Sequence, residues 1–246
     1  MDKLIYTAMA GAKYLLARQD TAAQNLAQAS TQGYRAQIDA FSSTPVNGDG
    51  AATRVFATGA TIGADFTPAP VQTTGRDLDV SVSGKGWLAV QGNDGTEGYT
   101  RFGNLRVNAE GLLETTTGLP VLGDGGSPIN VPVDARISIA PDGTVSAIPM
   151  QGAQTAVNVV GRIKLVNPEE STLVRGGDGL FRTRDGDSPL DPAVRLNVGS
   201  LEGSNVNPVE AMVSMIAIAR QFEVQMKMLS NADENARQAT KLLSSG

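Results

Sequence analysis

Apolar residues recur at alternating intervals of three and four at both ends of the chain, and at intervals of two through much of the stretch between. Near the N-terminus, Ile5, Ala12, Gln19 and Leu26 form one row and Ala8, Leu15, Ala22 and Ala29 the other, the spacing of a helical seam that seeks another helix. Near the C-terminus the rows are Met212, Ala219 and Met226, and Met215, Phe222, Leu229, Ala236 and Leu243. The first helix is expected to open on Asp2 as N-cap, run to about Thr31 and stop at Gly33, a residue able to turn left-handed. Its length would be about 42 Å at about 1.5 Å per residue. The last helix has the stronger start signal: Asn207 can cap, Pro208 suits the first helical position, and Glu210 completes a capping box. Uninterrupted by Gly or Pro until about Leu243, it would extend about 54 Å.

Between the helices the signals change. From Tyr34 to Thr74 the pattern dissolves into Ser, Thr, Pro and Gly, including Asn47-Gly48-Asp49-Gly50 and Pro68-Ala69-Pro70, which reads as a connector with extended pieces. Beyond Arg76, Leu78, Val80 and Val82 alternate with Asp79, Ser81 and Ser83, and Ile137 and Ile139 flank Ser138, as in half-buried strands. Asp94-Gly95, Asp142-Gly143 and Asp178-Gly179 fall between such runs, where hairpin turns need residues that tolerate positive φ. The expected organisation is an N-terminal assembly helix over 1–33, an extended connector over 34–75, a β-rich outer domain over 76–199 and a C-terminal assembly helix with its capping turn over 200–246. The fold class is α+β, with the long terminal helices paired like a coiled coil and an irregular antiparallel β-domain inserted between them.

Composition narrows the chemistry. Of 246 residues, 41% are hydrophobic, enough for a core, but only 4% are aromatic, so small side chains and turns must organise the middle. A net charge of −5 without any basic cluster argues against a nucleic-acid partner. The chain has no Cys and no His, which removes disulfides, thiolate and imidazole metal sites, and Ser-His or Cys-His nucleophile pairs. No cofactor is expected. No stretch approaches the roughly 18 apolar residues of a membrane span, so the chain is not expected to be membrane-embedded. Ala8-Met9-Ala10 imitates a signal-peptidase site, but too few apolar residues precede it, and Met1 onward reads as mature protein, exported if at all by another route.

Four features invite a chemical reading. Gly84-Lys85-Gly86 lacks the spacing of a phosphate-binding loop and reads as a hairpin turn. Asp185, Asp187 and Asp191 resemble a fragment of a calcium loop without its terminal Glu. Asp77 and Asp79 share one face of a strand and could serve acid–base work, or could be solvated or paired with Arg76 or Arg101. Trp87 heads an apolar run; core packing is the default for it and a sugar-stacking platform the alternative. A carbohydrate-binding or carbohydrate-active β-domain with helical oligomerisation ends is therefore the rival reading from another class. Two seamed helices alone would be marginal, so both termini are expected to gain order by packing against other subunits.

Longer motifs then become informative. Asn25-Leu26-Ala27-Gln28-Ala29-Ser30-Thr31-Gln32-Gly33-Tyr34-Arg35 resembles the N-terminal signature of the rod and hook axial proteins of the bacterial flagellum, with Gln28 where Asn is customary. Gly98-Tyr99-Thr100-Arg101-Phe102-Gly103, Asn108-Ala109-Glu110-Gly111-Leu112-Leu113 and Thr117-Gly118-Leu119-Pro120-Val121-Leu122-Gly123 are similar to that family's central β-domain. Leu201-Glu202-Gly203-Ser204-Asn205-Val206-Asn207-Pro208-Val209-Glu210-Ala211-Met212 is similar to its C-terminal signature. The opening Met1-Asp2-Lys3-Leu4-Ile5-Tyr6-Thr7-Ala8-Met9 and the run Ala219–Lys227 look more like the proximal-rod than the distal-rod members.

The resemblance implies a non-enzymatic structural subunit of the basal-body proximal rod, with a distal-rod member of the same family as the nearest alternative, in the periplasm, helping to build a hollow helical shaft that transmits torque and serves as an export channel. Its helix pair would be the family's D0 domain. Partners would be other proximal and distal rod subunits, further copies of itself, and the flagellar type III export apparatus. The assembly residues would be Ile5, Ala8, Ala12, Leu15, Ala22, Leu26, Ala29, Met212, Met215, Ala219, Phe222, Met226, Leu229 and Leu243. The signature residues are Asn25, Leu26, Ala27, Thr31, Gly33, Ser204, Asn205, Asn207 and Glu210.

Overall fold

The computed structural model describes residues 2–45, 55–149 and 157–244, and the Asn47–Gly50 turn cluster lies outside them. Two helices, α1 (Asp2–Ala27) and α2 (Pro208–Ser244), bracket a strand-rich middle made of several small antiparallel sheets. The chain divides into two compact units, one of residues 1–29, 36–65 and 206–246 and the other of 30–35 and 66–205.

The first unit holds both helices and the antiparallel pair Gln37–Pro45 and Val55–Ala64. Helix α2 begins where its capping residues place it: the Asn207 Oδ1 accepts from the backbone N–H of Val209 (3.1 Å) and of Glu210 (3.4 Å). Helix α1 stops at Ala27, short of the expected Thr31. Its last turn tightens, with N–H of Gln28 shared between the carbonyls of Gln24 and Asn25 and N–H of Ala29 bonded to Leu26. Asn25 then joins the helix to the neighbouring strand, donating from Nδ2 to the Gln37 carbonyl (2.9 Å) and accepting from the Gln37 N–H (2.8 Å). One helical turn earlier, Thr21 Oγ1 donates to Asp39 Oδ1 at 2.8 Å.

The molecule is α+β, but the coiled-coil-like pairing of the termini is corrected by the structure. A coiled coil needs two sustained apolar rows on each partner. In the expected α2 row of Met212, Ala219 and Met226, the two methionines are about half exposed, at 51% and 46%, and only Ala219 is partly covered. Among its described side chains the buried positions are Ile218 and Ala232, with Met215, Phe222, Gln225 and Leu229 partly covered. Gln225 contributes a polar contact where a seam would carry an apolar knob: its Nε2 donates to the Ala8 carbonyl at 3.2 Å and lies against Gly11. The C-terminal end of α1 is bonded to a strand instead of to a helix. The reading failed because heptad counting assumes that a helix has one partner; here α1 has two.

In the second unit, a five-stranded sheet runs in the order Leu165–Val166, Trp87–Gln91, Glu97–Thr100, Phe181–Thr183, Leu173–Arg175, and a three-stranded sheet in the order Asn158–Arg162, Thr144–Pro149, Ala135–Ile139. Two-stranded pairs complete it: Arg195–Val198 with Val80–Ser83, Ser200–Glu202 with Val71–Thr73, and Leu105–Val107 with Leu113–Thr115. The three Asp-Gly pairs stand in hairpin turns, each Gly at positive φ (Gly95 +79°, Gly143 +87°, Gly179 +84°). Leu88, Val90, Leu105, Leu113, Val121, Val145 and Ile163 are wholly buried in one core, and burying each such side chain is worth about 1.5–3 kcal/mol. Period-two reading overlooks one feature. In Val80–Ser83 both faces are covered, and Ser81 satisfies its hydroxyl against Ser200 at 2.9 Å.

Candidate assembly surfaces and a buried arginine–glutamate hub

Three sequence motifs meet at one carboxylate in the second unit. Glu202, on the strand Ser200–Glu202, accepts from Arg35 Nη2 at 2.7 Å and from Arg101 Nη1 at 3.0 Å. Their side chains are 2%, 1% and 6% exposed respectively. Glu202 Oε1 also accepts from the Ala69 N–H (3.1 Å), and its backbone carbonyl accepts from the Gly33 N–H (2.8 Å). Arg35 Nη1 donates to the Thr67 carbonyl (2.8 Å), and Arg101 donates to the carbonyls of Val82 (3.3 Å) and Gly84 (2.7 Å). A buried ion must be bonded on all sides to repay its lost hydration, and this one is tied to several strands and turns at once. Burial pulls the Arg101 guanidinium below its ordinary pKa, and the Glu202 carboxylate opposes that shift.

Aromatic side chains close the hub. Trp87, Phe181 and Phe66 stack with ring centroids 4.8–5.9 Å apart, and Arg101 lies over Trp87 at 5.4 Å. Arg175 lies over Tyr34 (4.7 Å) and Phe181 (4.8 Å) and donates to the Arg35 carbonyl at 2.6 Å. Gly33, at φ +66°, packs so tightly on the Arg101 backbone that an added Cβ would stand 2.4 Å from its carbonyl carbon. Asn205 donates from its N–H to the Tyr34 carbonyl (3.3 Å) and from Nδ2 to the Thr67 carbonyl (3.2 Å). From the sequence, Arg35 and Glu202 stand only as letters of motifs, and Arg101 is offered Asp77 or Asp79 as its partner, whereas it pairs with Glu202. A charged residue in each of three long motifs, with both signs present, was the signal that could have paired them.

The expected assembly residues lie in the first unit. Ala8, Ala12 and Leu15 are buried on α1, while Ala22, Leu26 and Ala29 are partly covered. On α2, Met215, Ala219, Phe222 and Leu229 are partly covered, and Met212 and Met226 are exposed. The side chains of Ile5 and Leu243 lie outside the described residues. Val209, Val213 and Ile216, which share a face with Met212, are exposed at 69%, 62% and 57%. Among the signature residues, Ala27 ends α1, Thr31 is exposed and accepts from the Tyr34 N–H, Ser204 is half-buried, and Glu210 is exposed in the first turn of α2.

The residues weighed for chemistry fall elsewhere. Trp87 is buried in the hub, which leaves no open platform for a sugar. Asp79 is buried, accepting from Thr74 Oγ1 (2.7 Å) and Arg76 Nη1 (3.3 Å), whereas Asp77 pairs with Arg136. Gly84 and Gly86 both take positive φ in the turn before Trp87, and Asp191 caps its own turn through the Ala193 N–H. Among the described residues, no group of three acidic side chains is gathered to hold a metal ion, and no helix is long and apolar enough to cross a membrane.

Terminal helices, a β-rich middle and motifs from both ends joined inside it define a class, and family models agree. Residues 81–147 match the flagellar hook protein FlgE/F/G D1 domain, and residues 197–242 match the flagellar basal body rod FlgEFG protein C-terminal region. The chain is 49% identical to the flagellar basal-body rod proteins FlgF of Salmonella typhimurium and Escherichia coli, in each case over 99% of both chains. Against the flagellar basal-body rod protein FlgG of Bacillus subtilis the identity is 28%, over 98% of this chain and 99% of that one. The chain belongs to the flagellar basal-body rod protein FlgF family, and it is a structural subunit of the rod in the flagellar basal body.

Proposed function

We propose that this subunit occupies the proximal rod, performs no catalysis, and builds the shaft by laying its terminal helices against those of neighbouring rod and hook-type subunits and of its own copies. It reaches that place in the periplasm through the flagellar type III export apparatus. The observation that carries this reading is the outer face of α2. Val209, Met212, Val213 and Ile216 follow one another at intervals of three, one and three, which places four apolar side chains together in water on a helix whose buried line runs through Ile218. An apolar patch of that kind marks an association surface. The assembly residues are those named from the sequence, joined by Val209, Val213 and Ile216, and the termini reach their full order only in the rod.

The test is complementation of a strain lacking the rod protein by a chain carrying Met212→Asp and Ile216→Asp. The expected result is a non-motile strain with an incomplete rod, while the purified variant unfolds at the wild-type midpoint. Normal swimming by that strain would sink the assignment of this face.

A further inference from the structure

The exposed patch on α2 has a helical register of its own. Val209, Met212, Val213 and Ile216 stand at positions i, i+3, i+4 and i+7, the anchor spacing of a helix that lies in an apolar groove. The same unit carries a groove. Gly11, Tyr14 and Leu15 of α1 and Arg220, Val224 and Gln225 of α2 line a depression of about 460 Å³, and Val224 is 61% exposed along it. A small organic ligand would need several polar groups converging on it. Here the Gln225 amide is engaged by the Ala8 carbonyl, and Arg220 is the one charged residue among the described residues of the wall.

The patch cannot reach the groove of its own chain. Between Met212 and Val224 the helix contains no Gly or Pro and advances about 1.5 Å per residue, so the two points stay about 18 Å apart on one rigid element. Anchors and groove can therefore meet only between copies. Charge agrees with that pairing: Glu210 sits within the anchor run and Arg220 in the groove wall, both are exposed, and among the described residues neither forms an ion pair. Resting on the reading of the outer α2 face as an association surface, we infer that this face occupies the α1–α2 groove of a second copy of the chain, with Glu210 set against Arg220. The two halves of the contact differ, so each copy offers one to the copy before it and the other to the copy after, a head-to-tail arrangement that extends a helical row and does not close a two-fold pair.

Charge reversal tests the pairing in a strain lacking the rod protein. Glu210→Arg and Arg220→Glu are each expected to shrink the soft-agar swimming zone at least about twofold by setting like charges together, and the two combined in one chain should restore it. Unimpaired swimming by either single variant, or no recovery in the combined one, would overturn the proposal. Disulfide trapping gives an independent readout, since the chain has no Cys. Basal bodies isolated from a strain whose chain carries Met212→Cys and Val224→Cys should yield a ladder of oxidised oligomers, because the two thiols of one chain are too far apart to bridge. A dimer from Met212→Cys alone would mean that patch meets patch, and would also overturn the pairing. If recovery fails while Met212→Asp with Ile216→Asp still blocks motility, the face serves a different rod subunit and the reading of it as an association surface stands; normal swimming by that last strain would remove the reading itself.

Discussion

The two units bury different things, and the contrast explains how one chain can be both a finished domain and an unfinished joint. The β-unit encloses Leu88, Leu105, Leu113 and Ile163 completely, and places an ion cluster of Arg35, Arg101 and Glu202 beyond the reach of water. Among its described side chains the helical unit buries Ala8, Ala12, Leu15, Ile218 and Ala232, three of them alanines, while Val209, Val213 and Ile216 stay in solvent. A unit with a large apolar core of its own holds together without a neighbour. The helical one leaves area for neighbours to cover.

The contrast can be broken from either side, with Trp87 fluorescence reporting the β-unit and far-ultraviolet circular dichroism the helices. The largest effect is expected for Glu202→Ala, which strands two buried guanidinium groups: urea unfolding should show a loss of about 3–5 kcal/mol in the Trp87 transition. Next, Gly33→Ala forces a left-handed conformation on a residue with Cβ and drives that atom onto the Arg101 backbone; a loss of about 1–3 kcal/mol in the same transition is expected. A wild-type result would mean that the motif can move away from Arg101. Asn207→Ala removes the cap of α2 and should cost about 1 kcal/mol, visible in helicity but not in Trp87 fluorescence. The smallest effect on the free chain is expected for Val213→Ser, within about 0.5 kcal/mol of wild type by thermal melting, although rod assembly should weaken. A concentration series sharpens the comparison further. Helicity should rise as subunits associate while the Trp87 signal stays constant, and full heat-stable helicity in dilute monomer would contradict ordering on assembly.

Much of this was legible in the residues. The Asn207-Pro208-Glu210 start of α2 and the three Asp-Gly turns follow from local rules, because a cap or a left-handed turn residue acts within a few positions of itself. The long signatures at 25–35 and 201–212 pointed to the family without any structure. Rotation of α2 was not legible: Met212 and Met226 fit a heptad row as well as Ile218 does, and only the position of α1 and of the Gln225 amide decides between the rows. Nor was the ion cluster, since nothing local ties Arg35 to a carboxylate on the far side of the β-unit in sequence. The early end of α1 has the same origin, because Asn25 and Gly33 answer to Gln37 and Glu202 and not to the helix.

The bond from Arg35 to Glu202 spans 167 positions. Whether the chain leaves a ribosome or threads a narrow channel, its leading end arrives first, and the clasp has no second half until residue 202 follows. Closing so long a loop is slow relative to forming the hairpins inside it. The β-unit is thus timed to lock near the end of delivery, with only α2 and its capping turn still to emerge.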